Sequence, residues 1–552
     1  MATRGAFRAD EERAWGLLRR EGTILSLALG IALALQVELV LSKSINWDEL
    51  FHFSQIHQHL RGEHVQWLQT PHVHLYAWVA QLPGDALTHI RLIRLMMVGF
   101  ELFVVAVIID FARRQSSPET GKLVGLLWLT GGFIFSHGFA LRADIIATAL
   151  LMGALWIAFV RPWRIGEFAA IGALTTLAAV ATIKSALYLP AFLGVALLRR
   201  DDWPVVGRLA IMASAAAVAV MLLVAASAID LRVATRELMW IVPGSIERMF
   251  TAGMFPQGTY LLKQVLIAPI LAFAIGFSGL YYWRKGKRDA KHYTWLLLLA
   301  PLLSLAVYRN AYPYHYVFLL APAMLALAPS GEWLRSRLGG GGVAALLIGL
   351  ALLLNLAEDR TVTARQEVFQ QGIHQIFPQP VYYFDDVGIV PDYPRAVPRF
   401  ASGWGLAGYR AHGRPDYSLA AAAAPVPLFI KQGYALDHLT PSPDDELALL
   451  PVDARMLREN YIRHWGIVFV SGKYLPKGVS PQNFTIIAPG IYTVERAALT
   501  IDGIRYGVGE IVDLDRGEHR VGPRARDATL RWGRHLPVPD VEWPTGPIFT
   551  DY

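Results

Sequence analysis

The 552-residue sequence contains no cysteine and few charged residues. Without cysteine the chain forms no disulfide, no thiolate metal site and no thiol nucleophile. Only 17% of the residues are charged and 54% are hydrophobic, a balance that soluble proteins of this length rarely show. The composition therefore indicates a protein with many membrane-spanning segments.

The net charge of +7 does not indicate a nucleic-acid partner, because the basic residues lie in short connectors between apolar runs. This is the positive-inside pattern of membrane proteins. The first apolar run, 23–42, is too long for the core of a signal peptide, and we expect it to remain as a span. The arginines that precede it predict a cytoplasmic N-terminus: Arg4, Arg8, Arg13, Arg19 and Arg20.

The apolar runs predict about eleven spans in residues 1–357, with an outer loop at 43–91. The stretch 168–198 would be about 46 Å long as one helix, beyond a hydrocarbon core of ~30 Å. It therefore predicts two short spans with Lys184 at their outer turn. The other runs after the first lie at 92–111, 122–140, 144–160, 205–229, 264–283, 293–308, 316–329 and 341–357.

Residues 358–552 lack such runs and predict a folded domain outside the cytoplasm, since an odd number of spans precedes it. Strand-like runs occur at 381–384 and 467–471, and alternating segments separated by Gly and Asp follow from residue 490. The predicted fold is a mainly α polytopic membrane protein with a C-terminal extracytoplasmic α/β and β-rich domain.

The stretch 45–60, INWDELFHFSQIHQHL, predicts a helix at the start of the outer loop. Asn46 and Glu49 have the spacing of a capping box. Asp48 and His52 then share one helix face with Gln55 and His59. The alternative interpretation is that the two acids only complement the helix dipole.

Ionisable residues also occur at the predicted outer ends of other spans, where they are costly and hence functional candidates. We expect them to converge with Asp48 on one cavity. The alternatives are a local Arg142–Asp144 pair, a Lys184 that reaches the headgroups, and an interfacial aromatic belt. The residues concerned are Arg142, Asp144, Lys184, Arg309, Tyr312, Tyr314 and His315.

Six of the 16 histidines lie between positions 52 and 74. His72 and His74 have an H-x-H spacing that can chelate zinc, but no third ligand is clearly placed. We favour a structural or substrate-contacting role and leave a divalent metal open.

Taken in order, these motifs resemble those of the GT-C glycosyltransferases, in the branch of protein O-mannosyltransferases and aminoarabinose (lipid A) transferases. That family has an acidic pair in the first outer loop and a proline segment after it, then an acid that opens the fourth span and a lysine followed by small and apolar residues. The matching positions are Asp48-Glu49, Pro71, Asp144 and Lys184 to Pro190. The family's proline segment often contains a lysine, where this chain has Gln69-Thr70-Pro71-His72.

The resemblance implies a GT-C-like fold in a bacterial inner membrane, with the C-terminal domain periplasmic or extracellular. It implies an inverting enzyme that moves a monosaccharide from a polyprenyl-phosphate donor to a hydroxyl of a lipid, glycan or protein. The expected partners are that donor, the acceptor and membrane lipids, and no nucleic acid. Two alternatives are a ligase or polymerase of lipid-linked oligosaccharides and a transporter or flippase of lipid-linked sugars.

The resemblance also implies roles for the candidate residues. Asp48 and Glu49 are the expected catalytic pair, Asp48 as general base and Glu49 orienting a base or a sugar hydroxyl. The residues expected to bind the donor phosphate or substrate are Arg142, Asp144, Lys184, Arg309, Tyr312, His315 and His52. A lipid-phosphate leaving group needs no nucleotide-binding metal, so no cofactor is expected.

Overall fold

The structure is a computed structural model that describes residues 2–199, 253–398, 403–440, 445 and 447–549, with isolated positions between 212 and 218. The predicted span at 205–229 lies outside these residues, apart from those isolated positions.

The described chain up to residue 376 is helical. Its helices are α1 (Ala2–Ser42), α2 (Trp47–Leu60), α3 (Pro71–Leu75), α4 (Ala86–Gln115), α5 (Pro118–Leu129), α6 (Phe133–His137), α7 (Ala143–Val160), α8 (Ile165–Ala181), α9 (Leu189–Leu198), α10 (Gly258–Ile267), α11 (Pro269–Gly286), α12 (Tyr293–Leu299), α13 (Pro313–Met324), α14 (Ala328–Leu338), α15 (Gly340–Leu356) and α16 (Thr361–Ile376). By length and composition, four described helices can cross a membrane, or six if two bent pairs each count as one span. Eleven spans remain a prediction.

Helices α1 and α15 run parallel, so the start of α1 and the end of α15 lie at opposite ends of the bundle. The N–H of Gly340 donates to Glu21 (2.8 Å), whereas Asn355 donates to the carbonyl of Leu35 (3.1 Å). Lys43, just after α1, pairs with Glu358 just after α15 (2.6 Å). We call the end of the bundle that holds Lys43 and α2 the site end.

The stretch 168–198 forms two helices of opposite direction, as predicted. Lys184 lies between α8 and α9 and binds Asp144 in the first turn of α7. Arg199, just after α9, donates to the carbonyls of Ala158 and Arg161 at the other end of α7. Helix α9 therefore runs alongside α7 in the same direction, and Lys184 lies at the site end.

Three of the apolar runs predicted as spans, 122–140, 264–283 and 316–329, contain breaks between helices. The first run is interrupted between α5 and α6, where Gly132 has a φ of 64°. Helices α10 and α11 meet at 100°, immediately before Pro269, and α13 and α14 meet at 86°. Proline removes a backbone donor and glycine tolerates positive φ, so these residues end helices inside apolar runs.

The C-terminal domain agrees with the predicted order of a mixed α/β part and a β-rich part. Its helices are α17 (Gly403–His412), α18 (Asp416–Ala423), α19 (Tyr434–Asp437) and α20 (Pro451–Asn460). Its strands are β1 (Tyr383–Phe384), β2 (Leu428–Ile430), β3 (Tyr461–Trp465), β4 (Val468–Leu475), β5 (Gln482–Ile486), β6 (Gly490–Glu495), β7 (Leu499–Ile501), β8 (Ile504–Tyr506), β9 (Ile511–Leu514), β10 (Gly517–Val521) and β11 (Ala528–Trp532).

The strands form two sheets. The larger has the order β1-β2-β4-β11-β6-β9, with β3 also on β4, and the smaller has the order β5-β10-β7-β8. Only β1 and β2 pair in parallel among the described strands; the other named pairs are antiparallel. In the register of β11, Leu530 lies between Val494 of β6 and Lys473 of β4.

This domain packs on the site end of the bundle. Gln366 of α16 exchanges hydrogen bonds with the backbone of Ile45 (2.9 and 2.7 Å) and also donates to Ile548 (2.9 Å). Arg395 forms a buried ion pair with Asp385 (2.8 Å), and its guanidinium lies 5.8 Å from the ring centroid of Phe51 in α2. The segment before α2 is thus fixed by the domain.

Topology can be tested with single cysteines, because the chain contains none. Glu63 follows α2 at the site end, Val479 is 96% exposed in the C-terminal domain, and Arg288 follows α11 at the opposite end. We expect an impermeant thiol reagent added outside intact cells to label Glu63→Cys and Val479→Cys but not Arg288→Cys. Labelling of Arg288→Cys from outside would contradict the arrangement, and labelling after permeabilisation controls for reactivity.

Candidate active site

Helix α2 begins at the capping box that the sequence predicted. The Asn46 side chain accepts from the N–H of Asp48 (2.9 Å), and Glu49 accepts from the N–H of Asn46 (3.0 Å). The cap fixes the start of the helix and places Asp48 and Glu49 in its first turn. Their side chains leave that turn toward different partners.

Asp48 is the first member of a chain of alternating charges. Arg142 contacts Asp48 through Nη1 and donates through Nε to Asp144 (3.2 Å). Lys184 Nζ donates to the other oxygen of Asp144 (2.6 Å). We call these four residues the charge chain; each side chain is between 7% and 15% exposed. The Arg142–Asp144 pair, given above as an alternative, is therefore present as part of a larger group. Lys184 is ion-paired with Asp144.

The ring of Tyr314, in α13, lies against both cations of the charge chain. Its centroid is 3.4 Å from the Arg142 guanidinium carbon and 4.9 Å from Lys184 Nζ. The predicted substrate contact, Tyr312, lies further out, 6.0 Å from the ring of Tyr314 and 5.8 Å from that of Tyr260. Tyr314, which the sequence placed in the converging group without a binding role, is thus the aromatic residue that contacts the cations of the site.

Glu49 occupies a different environment from Asp48. Arg94 of α4 donates to both of its oxygens (2.8 and 2.5 Å), and Glu49 also accepts from the N–H of Leu141 (2.9 Å). Both charged side chains are 1% exposed. Burial alone would raise the pKa of Glu49, but the Arg94 charge and these hydrogen bonds hold it below its usual range.

The expected role of Glu49, to orient a base or a sugar hydroxyl, stays a prediction, and its contacts hold the surrounding chain segments together. Arg94 also donates to the carbonyls of Lys43 (2.9 Å) and Ser44 (2.8 Å). The pair thereby joins the end of α1, the start of α2, helix α4 and the turn before α7. Arg94 was missed, although an arginine within an apolar run meets the rule that selected Lys184.

His52 lies one helical turn after Asp48 on the same face of α2, and it packs against His72 of α3. His52 bonds Gln55 (3.2 Å), and its ring lies 4.4 Å from that of His72, nearly perpendicular to it. Burial, and then the charge of Arg142, lowers the pKa of His52 to about 4. Both ring nitrogens of His72 are buried without a hydrogen-bond partner in the described chain.

The two remaining predicted residues lie in different surroundings. His315 follows Tyr314 and is fully buried, with its ring 4.6 Å from that of Tyr308. Arg309 is exposed and forms no ion pair with another described residue; Gln257 bonds its carbonyl (3.1 Å). The structure therefore brings together Asp48, His52, Arg142, Asp144, Lys184 and His315, and leaves Arg309 outside the group.

A small cavity adjoins the charge chain. It lies between the end of α1, the start of α2 and the turn that carries Arg142, with Tyr314 in its wall. Its lining adds Lys43 and His137, neither of which was a sequence candidate. The cavity has cationic and hydrogen-bonding walls, as a phosphate or a sugar requires.

No group of three metal-ligating side chains stands together in the residues that the structure describes. His74 stacks on Trp67 with 3.9 Å between ring centroids, whereas His72 packs against His52. The two histidines of the H-x-H motif therefore face different neighbours.

No protein-family model matches the chain, and no curated protein does. Two crystal structures of ArnT from Cupriavidus metallidurans show a likeness to it. One, bound to undecaprenyl phosphate, is 13% identical and covers 67% of this chain and 85% of its own, with a TM-score of 0.49. The other, in the apo state, is 12% identical and covers 67% and 84%, with the same TM-score. A likeness at this level does not establish a shared family, so the geometry of the site carries the assignment.

The Glu49–Arg94 pair should contribute to stability more than Asp48 does. Removing one partner from a buried pair leaves an uncompensated charge and typically costs about 3–5 kcal/mol. We therefore expect Glu49→Gln to lower the melting temperature in detergent much more than Asp48→Asn. The double variant Glu49→Leu with Arg94→Met should recover part of the loss. A Glu49→Gln variant that melts like the original protein would contradict this role.

Proposed function

We propose that this protein is a membrane glycosyltransferase that moves a monosaccharide from a polyprenyl phosphate to an acceptor hydroxyl, with inversion at the anomeric carbon. The observation that supports it most is the charge chain beside a cavity with charged residues in its wall, at one end of an apolar helix bundle. Its members come from three separated parts of the sequence, so their meeting is a property of the fold.

The depth of this group favours a lipid-linked phosphate. Asp144 and Arg142 lie where α7 begins, and Lys184 lies between two apolar helices, so the cations stand at the ends of apolar segments. A polyprenyl phosphate presents its phosphate at headgroup depth. Arginine and lysine are the usual partners of phosphate oxygens, and their charge favours the leaving phosphate.

Asp48 is the proposed general base, and its contact with Arg142 limits when it can accept a proton. One lone pair of an Asp48 carboxylate oxygen accepts from Arg142, which leaves fewer lone pairs for the proton of an acceptor hydroxyl. A donor phosphate that takes the guanidinium away from Asp48 would expose this oxygen. The base would then become available when the donor is in place.

The reaction balances with these groups alone. The acceptor oxygen forms a bond to the anomeric carbon, and its proton passes to Asp48. The bond between the anomeric carbon and the phosphate oxygen breaks, and its electron pair leaves with the phosphate, next to Arg142 and Lys184. Attack from the face opposite the phosphate inverts the configuration of the sugar.

The donor class can be tested directly with purified enzyme in lipid nanodiscs. We expect transfer from a polyprenyl-phosphate monosaccharide and none from the matching nucleotide sugar. Lys184→Ala should weaken donor use at least tenfold, because it removes a phosphate partner, whereas Arg309→Ala, an exposed cation of the same face, should change it little. Transfer from the nucleotide sugar without lipid donor would overturn the assignment.

Replacing the base should separate catalysis from binding. We expect Asp48→Asn to reduce transfer by about 10²–10⁴-fold, the usual cost of a lost general base. The same variant should bind polyprenyl phosphate several-fold more tightly, because only one of the two carboxylates on Arg142, that of Asp144, remains to compete for it.

The control for this experiment is Asp110→Asn, which removes an acid paired with Arg113 and Arg114 at the opposite end of the bundle. It should leave both transfer and binding near their original values. Near-normal transfer by Asp48→Asn would show that Asp48 is not the base. Weaker lipid binding by this variant would refute the competition for Arg142.

A further inference from the structure

Two buried imidazoles flank the charge chain, and neither meets a hydrogen-bond partner in the part of the protein that the structure describes. His72 is 1% exposed and His315 is 0% exposed, and both ring nitrogens of each are unpartnered. A buried polar group without a partner typically costs about 1–3 kcal/mol. Two of them beside one charged group point to a ligand that completes their hydrogen bonds.

His72 belongs to the Asp48 end of the group. It is the second residue of α3, and its ring lies 4.4 Å from that of His52, which is one helical turn after Asp48. Burial, and then the neighbouring His52, lowers the pKa of His72 well below its usual value. The ring is therefore neutral at physiological pH and presents one donor and one acceptor nitrogen.

His315 belongs to the other end. It follows Tyr314, whose ring contacts both Arg142 and Lys184, and it comes from α13, far from α3 in the sequence. Its own ring contacts are with Tyr308 (4.6 Å) and Phe318 (6.1 Å). These neighbours enclose the imidazole, and its nitrogens find no bond with a described residue.

The two cations and the two imidazoles differ in the hydrogen bonds that they require, and this difference distinguishes a phosphate ligand from a hydroxyl ligand. Ionised phosphate oxygens only accept hydrogen bonds, so they match Arg142 and Lys184 and leave the acceptor nitrogen of an imidazole unsatisfied. A hydroxyl both donates and accepts and so can satisfy either imidazole nitrogen. Several hydroxyls on one ring are the property that distinguishes a sugar.

We propose, on the basis of the function proposed above, that His72 and His315 form the sugar subsite and that each bonds a hydroxyl of the donor monosaccharide. Arg142 and Lys184 hold the phosphate. The sugar then lies between two histidines that come from different parts of the fold, and these residues select its hydroxyl pattern.

The test compares two kinds of lipid with the full-length enzyme in nanodiscs. The probes are polyprenyl phosphate and the same lipid carrying glucose, galactose, mannose or arabinose. We expect the original enzyme to bind at least one sugar lipid more tightly than the bare lipid. His72→Phe and His315→Phe should each reduce that preference about tenfold, as expected for one lost hydrogen bond, and leave binding of the bare lipid unchanged.

The melting temperatures of the variants distinguish a sugar-binding role of the two histidines from a structural role. Phenylalanine leaves no unpartnered nitrogen, so both variants should melt, without lipid, at or above the original temperature. The matched control is His89→Phe, because His89 is also buried but bonds the carbonyl of Leu82 (3.0 Å). It should melt lower and keep the sugar preference. If His72→Phe does not fold, His72→Gln supplies a donor and an acceptor and should keep part of the preference.

The outcomes distinguish this inference from the function on which it rests. An original enzyme that binds none of these lipids would refute the proposed function itself. An enzyme that binds the bare lipid and shows no sugar preference would refute the subsite. Unchanged preference in both phenylalanine variants, or an equal loss of bare and sugar-bearing lipid, would also refute it.

Discussion

The buried ion pair between Arg94 and Glu49 is the interaction on which the candidate site depends. Both side chains are 1% exposed, and the guanidinium also bonds three backbone carbonyls at and just after the end of α1. Burying two charges is costly, and the cost is recovered only when geometry and additional hydrogen bonds are favourable. Here the carboxylate accepts from Arg94 and from two backbone N–H groups. The pair therefore fixes the positions of four chain segments relative to one another.

Two adjacent acids have separate environments as a result. Glu49 is enclosed by Arg94 and backbone donors, and it holds the start of α2 against the turn before α7. That turn carries Arg142, which contacts Asp48 on the other side of the helix start. The position of Asp48 relative to the cations thus depends on Glu49 being fixed. A helix cap, a buried ion pair and a charge chain form one connected structure.

Local rules in the sequence predicted the start of α2 and most of the charged group. Capping spacing identified Asn46 and Glu49, and the cost of charge at membrane depth selected Arg142, Asp144 and Lys184. Sequence could not show that Glu49 is enclosed in a buried ion pair, because its partner, Arg94, lies 45 residues away. It also could not separate Arg309, which is exposed, from Lys184, which is ion-paired, since both follow the same rule.

The fold shows the same difference between features that local sequence patterns predict and features that depend on distant contacts. Hydropathy located the apolar runs, and alternation located the strands near 381–384, 467–471 and after 490, because both signals are local. The breaks inside the runs were missed, although Gly131-Gly132 and Pro269 stand in the sequence. A hydropathy window averages the composition of a segment and does not detect where a helix ends within it. The number of crossings consequently depends on information that the runs alone do not contain.

The break between α5 and α6 and the bend between α10 and α11 are stabilised by hydrogen bonds between them. Gln264, near the end of α10, accepts from the N–H of Phe133 (2.9 Å) and donates to the carbonyl of Gly131 (3.0 Å). One buried side chain beside the bend between α10 and α11 thus pairs the backbone groups that the break between α5 and α6 leaves open. Irregular backbone within an apolar bundle is tolerated only where protein groups or a cavity satisfy it. Helix α6, which this contact holds, carries His137 to the wall of the cavity, so the breaks shape the site.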